Sequence, residues 1–109
     1  MKPNEIPPGT LNLLILKTLG RYGEMHGYEV AESILHASDD VLAVEEGSLY
    51  PALQRMLLKG WVSAEWGVTV GNRRARYYRL TAAGRKQLAQ ELSQFDRIYG
   101  AIARVVEVG

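Results

Sequence analysis

Apolar positions recur at helical spacing over residues 10–21. Leu11, Leu14, Ile15, Thr18 and Leu19 share one face, and Leu13 and Leu16 widen it. A face this broad predicts burial on more than one side. Thr10 is the expected N-cap, with Gly20 and Gly23 as the expected stop. A second helical pattern runs over 27–37, opened by His26-Gly27, with Tyr28, Val30, Ala31, Ile34 and Leu35 on its apolar face. Ser38-Asp39-Asp40 breaks it. Val41 to Val44 fits a very short strand or an apolar bridge. A third helix is expected over 47–59, with Ser48 as N-cap, Pro51 in the first turn and Gly60 as its end.

The pattern then changes to strands. WVSAEWGVTV and RRARYYRL are rich in β-branched and aromatic residues and flank Gly71-Asn72, which predicts a hairpin. Loop length sets its parity. A two-residue turn puts Tyr78 and Leu80 on the face of Ser63 and Glu65. A loop of three or five residues instead gathers Val62, Ala64, Trp66, Tyr78 and Leu80 on one buried face. The longer loop is therefore expected, with Asn72, Arg73 and Arg74 at its tip. Thr81 caps a last helix over 82–107. Three helices, a hairpin and a helix describe a mainly α chain with a small β-hairpin (α+β). This is the plan of a winged helix-turn-helix extended by a long C-terminal helix. The expected divisions are a proline-rich lead-in at 1–9, a DNA-binding winged unit at 10–80 and a dimerisation helix at 81–109.

Charge adds direction to this plan. The net charge of +1 conceals a segregation: residues 1–54 carry three basic and eight acidic side chains, residues 55–109 ten basic and four acidic. Between Arg73 and Lys86 lie six basic residues and no acid, an electrostatic footprint for phosphate. A length of 109 residues suits one domain with a modest core, for which a partner chain would be useful. The absence of cysteine removes disulfides and thiolate chemistry and fits a reducing compartment. The longest apolar runs are four residues, and MKPNEIPPGT resembles no signal peptide, so a cytoplasmic protein with no membrane segment is expected.

The third helix divides into two faces. Leu49, Leu53, Met56 and Leu57 form the core side; Pro51, Gln54, Arg55 and Leu58 lie opposite, flanked by Ser48, Tyr50 and Lys59. Gln and Arg suit adenine and guanine edges, and the hydroxyls suit phosphates. The helix start is a further candidate anion site, near Ser48. An ordinary amphipathic surface helix fits the same pattern, and the hairpin decides between them. Arg73 and Arg74 at its tip can reach phosphates or a narrow minor groove, with Asn72 beside them and Arg76 further down the strand.

Three strings, MHGYEV (25–30), EEGSLYPALQRMLLKGW (45–61) and NRRARYYRLTAAGR (72–85), together resemble the PadR-like transcriptional regulators in their short form. The resemblance runs from about Pro8 to Leu88. It implies a homodimeric winged-helix repressor of a palindromic operator, with Ser48, Tyr50, Pro51, Gln54 and Arg55 at the groove of double-stranded DNA.

Beyond Leu88 the residues speak for themselves. Leu88, Leu92, Phe95, Tyr99, Ile102 and Val106 follow a heptad seam on a helix of about 24 residues, roughly 36 Å long. That exceeds what one winged unit can cover, and a second copy is the expected partner. Gly100 marks either a kink or a close helix approach. His26 and His36 lie ten apart with no clustered carboxylates, so no metal, cofactor or catalytic group is expected. Trp61 and Trp66 are expected to pack the hairpin, with an aromatic effector pocket as the alternative role. A winged helix used only for protein–protein assembly is the competing function.

Overall fold

The computed structural model describes residues 4–7 and 9–108; residues 1–3 of the expected lead-in, Pro8 and Gly109 lie outside the described residues. Nine elements follow in order: β1 (Asn4–Glu5), α1 (Leu11–Tyr22), β2 (Met25–His26), α2 (Gly27–Ala37), β3 (Leu42–Ala43), α3 (Glu46–Leu58), β4 (Val62–Val68), β5 (Arg74–Leu80) and α4 (Ala82–Glu107). The described residues form four helices around a three-stranded antiparallel sheet, with β1 and β3 as a separate parallel pair, which is the winged-helix plan.

Helix α1 is the centre of the packing. Ile15, Leu16 and Leu19 are sealed against Val30 and Ile34 of α2, Leu49, Ala52, Leu53 and Met56 of α3, and Val62, Tyr78 and Leu80 of the hairpin. Leu13 is also buried but lies outside that cluster, in a groove shared with α4. The broad apolar face of α1 therefore serves two neighbours. Gly20 does not stop this helix, as its sequence suggested, and Gly23 is the actual C-cap. A Cβ on Gly20 would lie 3.0 Å from Leu88 of α4, so glycine there permits close approach of the two helices.

Local chemistry explains most other boundaries. His26 caps α2 through a reciprocal capping box with Glu29, whose backbone N–H donates to His26 Nδ1 at 3.3 Å. Asp39 and Asp40 take left-handed backbone conformations and end α2. Tyr28, expected on the apolar face, is 61% exposed, and its hydroxyl donates to Glu32 Oε1 at 3.0 Å. The segment after the turn is a true strand, β3, paired in parallel with β1.

Helix α3 begins earlier than expected. Glu45, not Ser48, is its N-cap residue, and Ser48 lies within the first turn. Pro51 consequently sits inside the helix, where it removes the hydrogen bond that Gly47 O would otherwise accept. Its core face is Leu49, Ala52, Leu53 and Met56, with Leu57 half-buried.

The hairpin has the expected parity: Val62 pairs with Leu80, Trp66 with Arg76 and Val68 with Arg74, leaving a five-residue loop at 69–73. Asn72 turns the chain in a left-handed conformation, φ 62°, and its N–H donates to Thr69 O. The sheet gains a third strand that the sequence did not suggest, since β2 pairs with β5 through Met25–Tyr78 and His26–Tyr77. Thr81 joins hairpin to helix. Its hydroxyl donates to Gly60 O at 2.6 Å and accepts from Gly84 N, while its own N–H donates to Trp61 O.

Candidate nucleic-acid interface

Two surfaces carry the expected reader residues. The first is the outer face of α3, where Ser48, Tyr50, Pro51, Gln54, Arg55 and Leu58 are all exposed. This follows from the burial of positions 49, 52, 53 and 56, which turns the intervening residues to solvent. The second is the hairpin, or wing, with Asn72 and Arg73 exposed in its loop, Arg74 exposed as the first residue of β5 and not in the loop as expected, and Arg76 half-buried further down the strand.

These surfaces meet in a cleft of about 640 Å³ between the starts of α2 and α3 and the wing. Tyr50 and Glu46 form one wall, and Trp66, Arg73, Arg74 and Arg76 the other. The cleft thus brings four of the expected residues together: Tyr50, Arg73, Arg74 and Arg76. It does not include Gln54, Arg55, Lys59 or Asn72. Ser48 faces a different hollow, beside Ile6, Pro7 and Val44. Lys59 lies at the far end of α3, its ammonium 4.7 Å from the Trp61 ring centroid.

Tyr50 owes its position to Gly27. A Cβ at Gly27 would fall 2.7 Å from the Tyr50 ring, so the ring rests on bare backbone at the start of α2. Burial there, and then the nearby Glu46 carboxylate and Tyr78, raise the pKa of the Tyr50 hydroxyl, which stays a neutral donor at ordinary pH. On the outer side of the sheet, Arg79 pairs with Glu24 at 3.1 Å and points away from the cleft. Tyr77 shares that side, lying over Gly67 and donating to Val68 O.

Trp66 departs most from expectation. Its face is the one the sequence implied, yet it is 59% exposed, because at that level the sheet borders the open cleft and not the core. In place of core neighbours it carries two guanidinium groups, Arg74 at 4.4 Å and Arg76 at 5.7 Å from its ring centroid. The sequence suggests hairpin packing for Trp66, with an aromatic effector pocket as the alternative, and neither reading includes the two arginines. The signal was present in the pairing of Trp66 with Arg76 across the strands.

The expected seam on α4 is divided. Leu88 and Leu92 are half-buried, Leu88 packing against the core. Phe95, Tyr99, Ile102 and Val106 are exposed, as are Ile98 and Val105. Phe95 and Tyr99 stack on each other at 4.4 Å. Gly100 is an ordinary helical residue without a kink-forming neighbour; its nearest side-chain atom would be Arg104 Nη1, 3.7 Å from an added Cβ. Among the described residues no helix is long and apolar enough to cross a membrane.

Comparison with known proteins places this geometry. Residues 15–90 match the family described as "Transcriptional regulator PadR-like family". A transcriptional regulator from Clostridium thermocellum superposes with a TM-score of 0.79 at 27% identity, covering 88% of this chain and 92% of that one. A PadR family transcription regulator from Clostridium difficile gives 0.75 at 25% identity, covering 90% and 99%. Bacillus subtilis PadR, solved in complex with operator DNA, shares the fold with a TM-score of 0.67 at 23% identity, over 79% of this chain and 48% of that one.

Proposed function

The chain belongs to the transcriptional regulator PadR-like family, and from that premise we propose that it is a dimeric, sequence-specific DNA-binding regulator that represses from a palindromic operator. The observation that carries the reading is the cleft, where Tyr50 in the first half of α3 faces Arg73, Arg74 and Arg76 of the wing. We assign the winged unit 10–80 to DNA. In it, α3 enters the major groove, Gln54 and Arg55 read base edges, Ser48, Tyr50, Pro51 and Lys59 lie along the groove walls, and Asn72, Arg73, Arg74 and Arg76 face the backbone. The operator complex of the Bacillus subtilis protein supports this assignment by analogy of fold.

The helix 81–109 is assigned to dimerisation. Its exposed stripe from Phe95 to Val106 is too continuous to suit a lone soluble chain, and a second copy is the simplest cover. A twofold pair would present two α3 helices about 34 Å apart, one helical turn of DNA. A small aromatic effector gains little support. Trp61 and Trp66 are engaged by cationic side chains, and the stacked aromatic pair of α4, Phe95 and Tyr99, belongs to the proposed seam. One observation favours the assembly-module reading instead: Leu58, 79% exposed, stands on the reading face of α3.

Selection of duplexes from a random DNA library tests the proposal. A reader of DNA recovers a twofold-related sequence and binds it with an affinity that falls steeply with salt, by about 0.9 in log–log slope per phosphate contacted. Recovery of no preferred sequence, together with salt-insensitive association, would leave the assembly module standing.

A further inference from the structure

One face of the β4–β5 hairpin changes its duty along its length. At its base it is the core wall, where Val62, Tyr78 and Leu80 are buried. Two pairs further out the same face carries Trp66 opposite Arg76, and then Val68 opposite Arg74, and here Trp66, Arg74 and Arg76 line the cleft instead of the core. Both guanidinium groups lie over the Trp66 ring, at 4.4 and 5.7 Å from its centroid. A tryptophan 59% exposed under two arginines does not serve a hydrophobic core.

Arg76 supplies the second observation. Its Nε is shut off from solvent and has no hydrogen-bond partner among the described residues. Enclosure on that side fixes the stem of Arg76 and leaves its terminal amino groups as the donors that can meet a ligand in the cleft. Arg76 lines the cleft, and so do Arg74, Arg73 and the Tyr50 hydroxyl bearer opposite. Glu46 also lines it, so the cleft sets three cations against one carboxylate. Its surplus is positive, and its donors are planar forks suited to tetrahedral oxyanions.

We infer that this cleft seats a phosphodiester of the DNA backbone, gripped by Arg76 and Arg74, and that Trp66 is the positioning residue that holds both arginines in place. The inference rests on the DNA-binding reading and deepens it. It moves the principal backbone grip from the loop of the wing to the outer half of β5, in the angle where a duplex lying on α3 would carry its strand. Trp66 acts by stacking: with the ring present, the guanidinium groups are ordered before DNA arrives, and less side-chain freedom is lost on binding.

The test uses the full chain and the duplex that the wild-type protein selects from a random library. Trp66→Leu should weaken binding about fivefold at both the selected duplex and a mixed-sequence one, with the melting temperature held. Trp66→Phe should recover most of that loss, since a second aromatic ring restores the stack. Arg76→Met should lower the salt slope by about one unit, and Arg76→Lys should keep the slope with weaker binding. The Arg76 pair decides the matter independently should Trp66→Leu fail to fold. Affinity within twofold of wild type, with unchanged slope, in both Trp66→Leu and Arg76→Met overturns the proposal while leaving the regulator reading intact. Inorganic phosphate that binds through Arg76 while DNA affinity stays unchanged in Arg76→Met also overturns it, by reassigning the seat to a small anion. If the wild-type chain selects no duplex at all, the DNA reading beneath it falls.

Discussion

Gly84→Ala should destabilise the chain by about 2–4 kcal/mol, although it replaces a poor helix former with the best one. Gly84 is the one fully buried residue of α4 among those described. A Cβ there would lie 1.9 Å from the backbone oxygen of Trp61 and 2.9 Å from its carbonyl carbon, whereas real Cβ contacts stay above 3.0 Å. Helix and hairpin base must then separate by about 1 Å. The oxygen cannot simply yield, since it accepts the Thr81 N–H at 3.0 Å. Separation strains that bond and the two made by the Thr81 hydroxyl, to Gly60 O and from Gly84 N. Overpacking typically costs about 1–3 kcal/mol, and each weakened bond about 0.5–1.5. Helix propensity returns about 1 kcal/mol. Urea denaturation followed by far-UV circular dichroism measures the difference, and the melting temperature should fall by roughly 10 °C or more. Protein concentration must be held constant, because a dimer adds its own stability. Gly100→Ala is the internal contrast. A Cβ there meets only the far end of Arg104 at 3.7 Å, an ordinary contact, so this change should stabilise the helix by about 1 kcal/mol. A Gly84→Ala chain within about 0.5 kcal/mol of its parent would refute the packing argument.

Four further outcomes are expected. Gly27→Ala should displace the Tyr50 ring and weaken DNA binding several-fold while changing stability by about 1 kcal/mol or less, since a side chain and not backbone must give way; titration calorimetry beside a melting curve separates the two effects. Phe95→Asp with Ile102→Asp should give folded monomers in sedimentation velocity, because both residues are exposed in the single chain; an unchanged sedimentation coefficient counts against the seam. Arg79→Ala should leave DNA affinity and its salt slope near wild type and cost at most about 1 kcal/mol, since its ion pair with Glu24 is at the surface and turned from the cleft. Tyr50 has a folded pKa raised above that of a free phenol, so its share of stability is present below the ordinary phenol range and is lost as pH rises through it. Tyr50→Phe should make the alkaline unfolding curve shallower.

Much of the fold was legible because period and capping chemistry speak locally. The bounds of α2 and α4 follow from His26, Thr81 and the apolar spacing. Hairpin parity was legible for a non-local reason: only one parity puts Val62, Tyr78 and Leu80 on the same side, and burial of all three selects it. What failed depended on neighbours that the sequence does not display. Two-residue strands such as β1 and β2 have no period of their own and exist only because β3 and β5 lie beside them. Trp66 was placed on the right face, but burial depends on what lies above that face. Gly20 reads as a stop until Leu88 is brought within 3.0 Å of where its Cβ would be. Ser48 reads as a cap until Glu45 is found to start the helix one turn sooner. As for the candidate site, the composition of the wing pointed to Arg73 and Arg74 at the tip. The isolation of Arg76 Nε is a property of the packed chain, and no one-dimensional pattern announces it.

The seating of Gly84 has a mechanical side. Helix α4 is a rod of 26 residues, clamped at one end against the wing base by a contact that admits no side chain, and clear of the winged unit at the other. A rod of that length spans about 39 Å, so a tilt of about 10° at the clamp displaces its free end by about 7 Å. In the proposed dimer, a small change of angle where two such rods meet would be delivered to the hairpins with no compliant joint between. The gauge between paired wings would then be set at the C-terminal ends of the chains, far from the proposed reading face of α3.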